Sequence, residues 1–509
     1  MRPSRFAVLL AVLAASLTRV AFVESHWDED ACVAIGWLMT KGWRLYSDIF
    51  SHHAPLDYLP ASMTASLFGP SPFAARVFMI VVWAGSCAGL FAALRRHKEG
   101  GLAAALFATL SSQWLTFWHG QMMLVENMWA YAAVGALALL GSPLGLEPEP
   151  SPRRAAMIGA LIAAILTASP VCLPVAFLLA AWAVADPRWR PHARRFALGA
   201  ASWLVLFGAW AAWRADLSLL WLHAITFNRE VYARFHGFDG GAESGFWRRA
   251  AEHNAAYFST AFEWGTLERY FEGVLKLTAM GWAAWSFAEK KWAQGFWKLA
   301  FIFAVNSRPE KSLGATPFHA APFYFTATIV AASALARSWG ALAGRRRLAF
   351  GALAAAALLP TLGPTSLATE SLRAYGRPHA GYEAIAKAVR ECTGADDRVA
   401  AFPVYPRFYL DTNRLPSTPS VFYLPWQDAW EPQRAATLAA LAKNPPKAVL
   451  IQEAVVWGVP WKEYGAGVNA WLEDQGYTPV RSLDSGGAAT LLVPPGAASE
   501  FSSCAEKSR

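Results

Sequence analysis

The segment between residues 24 and 77 carries side chains whose types and spacing suit proton transfer. Three consecutive acids, Asp28, Glu29 and Asp30, come directly after the first long apolar stretch of the chain. Partial desolvation makes a carboxylate at a membrane surface a better base near neutral pH. The pattern predicts a general base here, although the acids taken alone favour a plainer role, in which they end one helix and cap the next.

Further polar side chains follow in the same segment. Asp48 lies in the triplet YSD, and His52 and His53 come just before APL. An amphipathic helix lying along the membrane surface is predicted from apolar residues at helical spacing, namely Cys32, Ile35, Gly36 and Met39. The acids, the helix and the histidine pair together favour a functional segment over a simple connection.

Two later stretches add ionisable groups close to apolar segments. Glu126 lies in HGQMMLVENMWA, at the mouth of a predicted span, where an ionisable group is costly and usually functional. Arg308, His319 and Tyr324 surround the turn in NSRPEKSLGATPFHAAPFYF. The alternatives are a glutamate that reaches out to water from a helix end, and an ordinary charged turn before a proline-capped helix.

The composition indicates which elements position these residues. Of 509 residues, 55% are hydrophobic and 16% are charged, the mean hydropathy is +0.26, and 25 residues are Trp. Soluble globular chains carry about 25% charged residues, so the composition excludes a disordered chain and an ordinary cytosolic enzyme. We therefore expect a polytopic α-helical membrane protein.

About eleven transmembrane helices are predicted, since a spanning helix needs about 20 apolar residues. Their approximate bounds are 6–23, 74–94, 101–119, 124–142, 155–170, 171–185, 196–213, 271–289, 297–306, 320–336 and 348–364. With a cytoplasmic N-terminus, this number of spans leaves every basic cluster inside. The net charge of +9 then orients the chain in a bilayer and does not indicate nucleic-acid binding. Residues 1–23 are read as an anchor helix, with a cleaved signal peptide as the alternative.

The same topology predicts the domains. Residues 1–364 form a membrane domain with external loops at 24–73 and 214–270, and residues 365–509 form a small extracytoplasmic α/β domain. The latter prediction rests on strand-like runs in DRVAAF, KAVLIQ and GAATLLVP that alternate with helical patterns. Cys392 and Cys504 bracket this domain on the oxidising side, where a disulfide between them is possible.

The first external loop resembles that of a known enzyme family. The pattern WDED…GW…KGWRLYSDIFSHHAPLDY…LFGPSPFAARV is similar to the loop of the GT-C glycosyltransferases. Within that fold it resembles the branch that uses polyprenyl-phosphate sugars, which includes protein O-mannosyltransferases and lipid A aminoarabinose transferases. Relatives have Asp-Glu, a helix, Tyr-x-Asp, a basic residue before Pro-Pro-Leu, and Phe-Gly-x-Ser followed by Ala-Arg.

The resemblance implies roles for particular residues. Asp28 matches the catalytic base and Glu29 its acidic neighbour, and Asp48 matches the acid of Tyr-x-Asp. His53 stands where relatives commonly have a permanently charged Lys, and His52 is the alternative for the same phosphate contact.

Glu126, Arg308, His319 and Tyr324 lie in stretches that resemble family segments. The implied role of Arg308 and His319 is to stabilise the leaving phosphate. Glu29 and Asp48 would orient hydroxyl groups of the donor or bind a divalent cation, Mg or Mn. The resemblance does not settle whether such a cofactor is used.

The implied activity is transfer of a sugar, with inversion, from a polyprenyl-phosphate donor to a lipid, glycan or protein acceptor. The implied location is a bacterial inner membrane, with the active site and tail domain on the periplasmic side. The main alternative is a transporter or flippase of a lipid-linked or envelope glycan, and a third is a non-catalytic scaffold. Transporters concentrate charge near the midplane, whereas the acids here concentrate in external loops, which favours an enzyme.

Overall fold

The computed structural model describes most of the chain. The described residues are 2–17, 27–97, 99–115, 120, 122–146, 149–235, 246–262, 267–306, 317–344, 382–480 and 489–507. They group into two compact units. The helical unit lies within 1–23, 76–210 and 241–372, and the mixed unit lies within 24–75, 211–240 and 373–509. The mixed unit therefore contains most of the first predicted loop together with the tail. The sequence instead predicted a single domain boundary after residue 364, which lies outside the described residues.

Long apolar helices rich in Ala, Leu, Val and Phe build the helical unit. In order they are Pro3–Leu17, Pro72–Leu94, Gly100–Trp114, Val125–Leu140, Pro152–Ala168, Leu173–Ala185, Ala193–Arg214, Leu267–Ala288, Trp292–Val305 and Ala321–Ala341. Each coincides with one of the predicted spans. The eleventh, 348–364, lies outside the described residues.

Two helical stretches in the described part of the chain are long and apolar enough to cross a membrane by length and composition alone. They are Pro72–Leu94 and Arg190–Arg214, and four shorter apolar helices accompany them. Pro170 explains the break between the helices Pro152–Ala168 and Leu173–Ala185. Proline cannot donate a backbone hydrogen bond, so the first helix cannot continue through it. The number of spans stays a prediction.

The tail of the mixed unit contains a five-stranded sheet. The strands are β1 (Arg398–Phe402), β2 (Leu415–Pro416), β3 (Ala448–Ile451), β6 (Thr478–Pro479) and β7 (Thr490–Val493), in the order β2-β1-β3-β7-β6. A separate pair is formed by β4 (Val455–Val456) and β5 (Val459–Pro460). β1 is parallel to β2 and β3, with Val399 opposite Ala448, and β7 is antiparallel to its neighbours. The three runs predicted from sequence are β1, β3 and β7, and β3 is buried throughout, as expected of a strand covered on both faces.

Helices alternate with these strands. Their bounds are Tyr382–Cys392, Arg407–Thr412, Pro425–Asp428, Glu431–Lys443, Trp461–Tyr464, Ala466–Asp474 and Ala498–Lys507. The core beneath the sheet includes Phe402, Leu441 and Trp461, all buried. A disulfide joins Cys392 to Cys504, with the two Cα atoms 5.9 Å apart, which confirms the pairing considered from sequence. It closes a loop over a separation of 112 residues and so removes conformational freedom from the unfolded chain.

The first-loop part of the mixed unit contains the helix Trp27–Thr40, the one-turn helix Pro55–Tyr58 and the helix Leu59–Phe68. The predicted amphipathic helix is present, but its predicted exposed face is absent, because every residue from Glu29 to Met39 is buried. At the closest approach to Leu59–Phe68, a Cβ on Gly36 would lie 2.5 Å from the carbonyl carbon of Ala61. Glycine at this position therefore sets the distance between the two helices.

We expect Gly36→Ala to destabilise the protein by about 1–3 kcal/mol, because the added methyl group meets backbone that cannot yield. The matched control is Gly85→Ala, also in a helix, where a Cβ would meet nothing within 4 Å and where alanine adds helix propensity. Thermal unfolding of the detergent-purified variants gives both values. A melting temperature for Gly36→Ala at or above that of Gly85→Ala would contradict this packing.

Candidate active site

The three acids of the first loop lie in the first turn of Trp27–Thr40 and point in different directions, since successive residues of an α-helix are about 100° apart. Asp28 is partly exposed, whereas Glu29 and Asp30 are 0% exposed. Carboxylates in a first turn are stabilised by the positive end of the helix dipole. Of these three groups, Asp28 is therefore the one that solvent or a ligand can approach.

Asp30 faces the tail of the mixed unit. One turn earlier, on the same helix face, the Trp27 ring meets the Phe422 ring edge-on at 6.2 Å. Burial lowers the pKa of Arg407, but the carboxylates of Asp411 and Asp30 more than offset this, and the pKa is raised overall. Arg407 Nε donates to Asp411 at 3.2 Å. Asp30 thus belongs to a buried charge cluster with Arg407, which holds the start of the helix in place.

His53 forms a short hydrogen bond with an acid that the sequence analysis did not single out. Its Nδ1 lies 2.6 Å from Oδ2 of Asp57, in the one-turn helix Pro55–Tyr58. Tyr46 donates to the carbonyl of His53 at 2.7 Å, and the backbone N–H of His53 donates to Ser51 at 3.0 Å. The His53 side chain is 35% exposed and that of Asp57 is 2% exposed. The backbone and Nδ1 of His53 are therefore fixed, and Nε2 is the nitrogen through which it would contact a phosphate.

His52 is enclosed by aromatic rings. Its ring centroid lies 4.7 Å from that of Tyr232 and 5.9 Å from that of Phe227. The side chain of Asn228 donates to the backbone carbonyl of His52 at 2.7 Å. His52 therefore anchors the histidine pair to the segment that contains residues 227–232, and the geometry favours His53 over His52 as the ligand-facing member.

In the helical unit, the structure brings together two predicted site residues far apart in sequence. Glu126 lies in the first turn of Val125–Leu140, and His319 lies in the short helical turn Pro317–Ala320. His319 Nε2 is 3.8 Å from Oε1 of Glu126, and both side chains are largely buried. With His319 protonated, the two groups form an ion pair that is little screened by salt in such surroundings. The alternative of a glutamate reaching out to water does not fit this burial.

Tyr324 begins a second buried polar group in the helical unit. Burial raises the pKa of Tyr257, and neighbouring Tyr324 and Glu272 raise it further. Lys276, 2% exposed, forms a 2.8 Å ion pair with Glu272, and its Nζ lies 3.8 Å from the centroid of the Tyr257 ring. Arg308, the cation expected beside this turn, lies outside the described residues.

Asp48 occupies a different position. It is exposed, and its Oδ2 accepts the backbone N–H of Arg44 at 2.8 Å, which closes a turn. It lines a pocket of about 630 Å³ within the mixed unit, which we call the 41–50 pocket. Its wall also includes His223, from a π-helical turn at Leu222–Thr226.

Glu29 and Asp48, to which the sequence assigned a divalent cation, differ in exposure. Glu29 is 0% exposed within its helix, whereas Asp48 lies on an exposed turn. In the part of the chain that the structure describes, no three His, Cys, Asp or Glu side chains are grouped so as to hold a metal ion. The use of a divalent cation stays a prediction.

Three buried charged residues were not among the predicted site residues, namely Asp57, Lys276 and Arg76, although Arg76 lies in the Ala-Arg of the family-like pattern. Asp57 could have been found as the acid four residues after His53, and Arg76 as the charged residue of Pro72–Leu94, where it is 1% exposed. Lys276 lies four residues after Glu272, a spacing that brings two side chains together on a helix. Arg407, in the tail, contacts Asp411 and lies near Asp30 within the mixed unit.

His223 gives a pH prediction. Burial lowers its pKa from 6.5 to about 4, so between those values the unfolded chain binds a proton that the folded chain does not. Stability is therefore lost as the pH falls from 6.5 towards 4, and His223→Gln should reduce that loss by about 1–3 kcal/mol. Melting temperatures of the unchanged protein and of His223→Gln at pH 7.5 and 4.5 measure this loss of stability, with His192→Gln as the control. An unchanged difference between the two pH values would show that His223 is not buried as described.

Comparison with solved structures identifies the fold of the chain. No family model matches the chain, and no curated protein matches it. ArnT from Cupriavidus metallidurans, solved with undecaprenyl phosphate bound, aligns over 96% of this chain and 98% of its own, with a TM-score of 0.57 and 15% identity. The Archaeoglobus fulgidus oligosaccharyltransferase, solved with Zn and sulfate, aligns over 92% of this chain and 71% of its own, with a TM-score of 0.52 and 13% identity. Both are GT-C proteins, and the chain has the helical GT-C fold that its first loop predicted.

Proposed function

We propose that this protein is an integral membrane glycosyltransferase that moves a sugar from a polyprenyl-phosphate donor to an extracytoplasmic hydroxyl group. The observation that carries the proposal is the position of Asp28. In a chain with the GT-C fold, it is the partly exposed member of three acids at the start of a helix otherwise buried from Glu29 to Met39. The ArnT structure was solved with undecaprenyl phosphate, which supports the same class of carrier here.

Asp28 is the general base in this proposal. It accepts the proton of the acceptor hydroxyl while that oxygen attacks C1 of the donor sugar. The bond from C1 to the phosphate oxygen breaks, its electron pair leaves with the polyprenyl phosphate, and the configuration at C1 inverts. Glu29 and Asp30 are too deeply buried to reach the acceptor, so we assign them to positioning.

The leaving phosphate needs positive charge, because charge-assisted hydrogen bonds are stronger than neutral ones. We assign His53 to this role, oriented by the short bond between its Nδ1 and Asp57. In the helical unit, His319 with Glu126 and Tyr324 with its buried neighbours are proposed to bind the donor. Arg308 is proposed as a further phosphate ligand on the basis of its sequence position.

We place the protein in a bacterial inner membrane, with residues 365–509 on the periplasmic side. The disulfide between Cys392 and Cys504 supports an oxidising compartment for that segment, since such bonds are rare in the cytosol. The acceptor is a lipid, glycan or protein that carries a hydroxyl group at that surface.

Asp28→Asn should lower the rate of transfer by about 10²–10⁴-fold, because the amide keeps the shape and cannot take the proton. The assay measures release of free polyprenyl phosphate from a labelled polyprenyl-phosphate sugar by protein reconstituted in liposomes with envelope extract as acceptor. Asp474→Asn, an exposed residue near the end of Ala466–Asp474, is the matched control and should keep full activity. Movement of intact donor across the bilayer without release of its phosphate would instead identify a flippase.

His53 gives a second test, because relatives commonly carry Lys at this position. His53→Gln should lower kcat/KM by about 10–100-fold, and His53→Lys should recover much of the loss since it restores a cation. Asp57→Asn should lower kcat less than His53→Gln does, because it removes orientation and leaves the imidazole. Equal loss in His53→Lys and His53→Gln would show that positive charge at this position is not needed.

A further inference from the structure

The 41–50 pocket is built from three segments that are distant in sequence. They are the turn at 41–50, the π-helical turn with His223, and the tail residues 398, 417–419 and 430–444. Backbone hydrogen bonds hold the segments together: Leu45 N–H donates to the carbonyl of Arg214 at 2.9 Å, and Phe50 N–H donates to that of Pro419 at 2.8 Å. The cavity of about 630 Å³ falls within the range of small-molecule sites. Of the site residues expected from sequence, Asp48 lines it, whereas Asp28, His53, Glu126 and His319 do not.

Two buried residues of the pocket wall each carry a polar atom that could bond a ligand. Ser417 is 1% exposed and His223 is 8% exposed, and both line the cavity. Within the described part of the chain, neither Ser417 Oγ nor His223 Nδ1 has a hydrogen-bond partner. A buried polar group without a partner is costly, and π-helical turns like that of His223 are frequent at functional sites. A ligand hydroxyl group that reached either atom would supply the missing hydrogen bond.

The rim is aromatic and cationic. Trp43 and Trp430 are partly exposed and offer apolar ring faces. Lys41, Arg398 and Lys443 supply three positive charges against the single carboxylate of Asp48, and the Arg398 guanidinium lies 5.4 Å from the centre of the Trp43 ring.

We infer that the 41–50 pocket binds an anionic saccharide, a short sugar unit that carries a phosphate or carboxylate group. The tryptophan faces stack on the C–H face of the sugar ring, and Ser417 and His223 bond its hydroxyl groups. The cationic rim binds the acidic substituent. Burial keeps the pKa of His223 near 4, so the imidazole is neutral and its Nδ1 can pair with a hydroxyl group. This site adds to the transfer reaction and does not depend on it.

Calorimetry of sugar binding to the purified full-length protein in detergent tests this assignment. The probes are glucose 6-phosphate, glucuronate, glucose and inorganic phosphate. We expect at least one acidic sugar to bind at least tenfold more tightly than glucose and than inorganic phosphate, and to bind more weakly as salt is raised. The preferred acidic sugar distinguishes phosphate from carboxylate. Phosphate alone binding as tightly as the acidic sugars, or no acidic sugar binding at millimolar concentration, would overturn the proposal.

Variants locate the binding. Ser417→Ala and Lys443→Gln should each raise the Kd of the preferred sugar about 5–10-fold, since each removes one hydrogen bond or charge contact. Lys462→Gln, an exposed lysine outside the pocket, is the matched control and should leave the Kd unchanged. Equal Kd values for Lys443→Gln and Lys462→Gln would place the sugar elsewhere. Asp28→Asn should bind the sugar normally, so a failure of the transfer proposal is distinguishable from a failure of this one.

Discussion

The burial of the helix Trp27–Thr40 is the constraint on which the first loop depends. Gly36 allows the helix Leu59–Phe68 to approach closely, and Arg214 donates to the carbonyl of Met39 at 2.7 Å near the other end. Asp30 takes part in the charge cluster of Arg407. A helix held in this way cannot rotate, so each of its three acids has one fixed direction, and Asp28 is left partly exposed.

Acid–imidazole pairs appear in both units. In the mixed unit Asp57 holds His53 at 2.6 Å, and in the helical unit Glu126 lies 3.8 Å from His319. A lysine carries its charge without help, whereas a histidine needs a partner that stabilises the protonated ring. His53 is accompanied by such a partner, the buried Asp57 four residues later, in the one-turn helix that begins with Pro55.

The mixed unit combines two kinds of surface in one short stretch of chain. The turn at 41–50 lines the aromatic and cationic pocket, and the following residues carry the pair His53 and Asp57. The aromatic contacts of Phe50 with His223 and Trp430, at 5.4 and 5.9 Å, link this turn to both of its neighbours. A ligand in the pocket would therefore contact the segment that directly precedes His53.

Local apolar periodicity and residues close together in the chain were enough to predict the apolar helices, the strands β1, β3 and β7, and the GT-C resemblance. They also located Asp28, Glu126 and His319 as candidates. The packing of the fold was needed to show that Asp28 is the partly exposed acid, that Glu126 meets His319, and that Asp48 lines a pocket with His223 and Ser417. The direction in which a side chain points from a buried helix depends on how the helices and the sheet pack. The same packing decides which segments more than a hundred residues apart come into contact, and no local pattern encodes it.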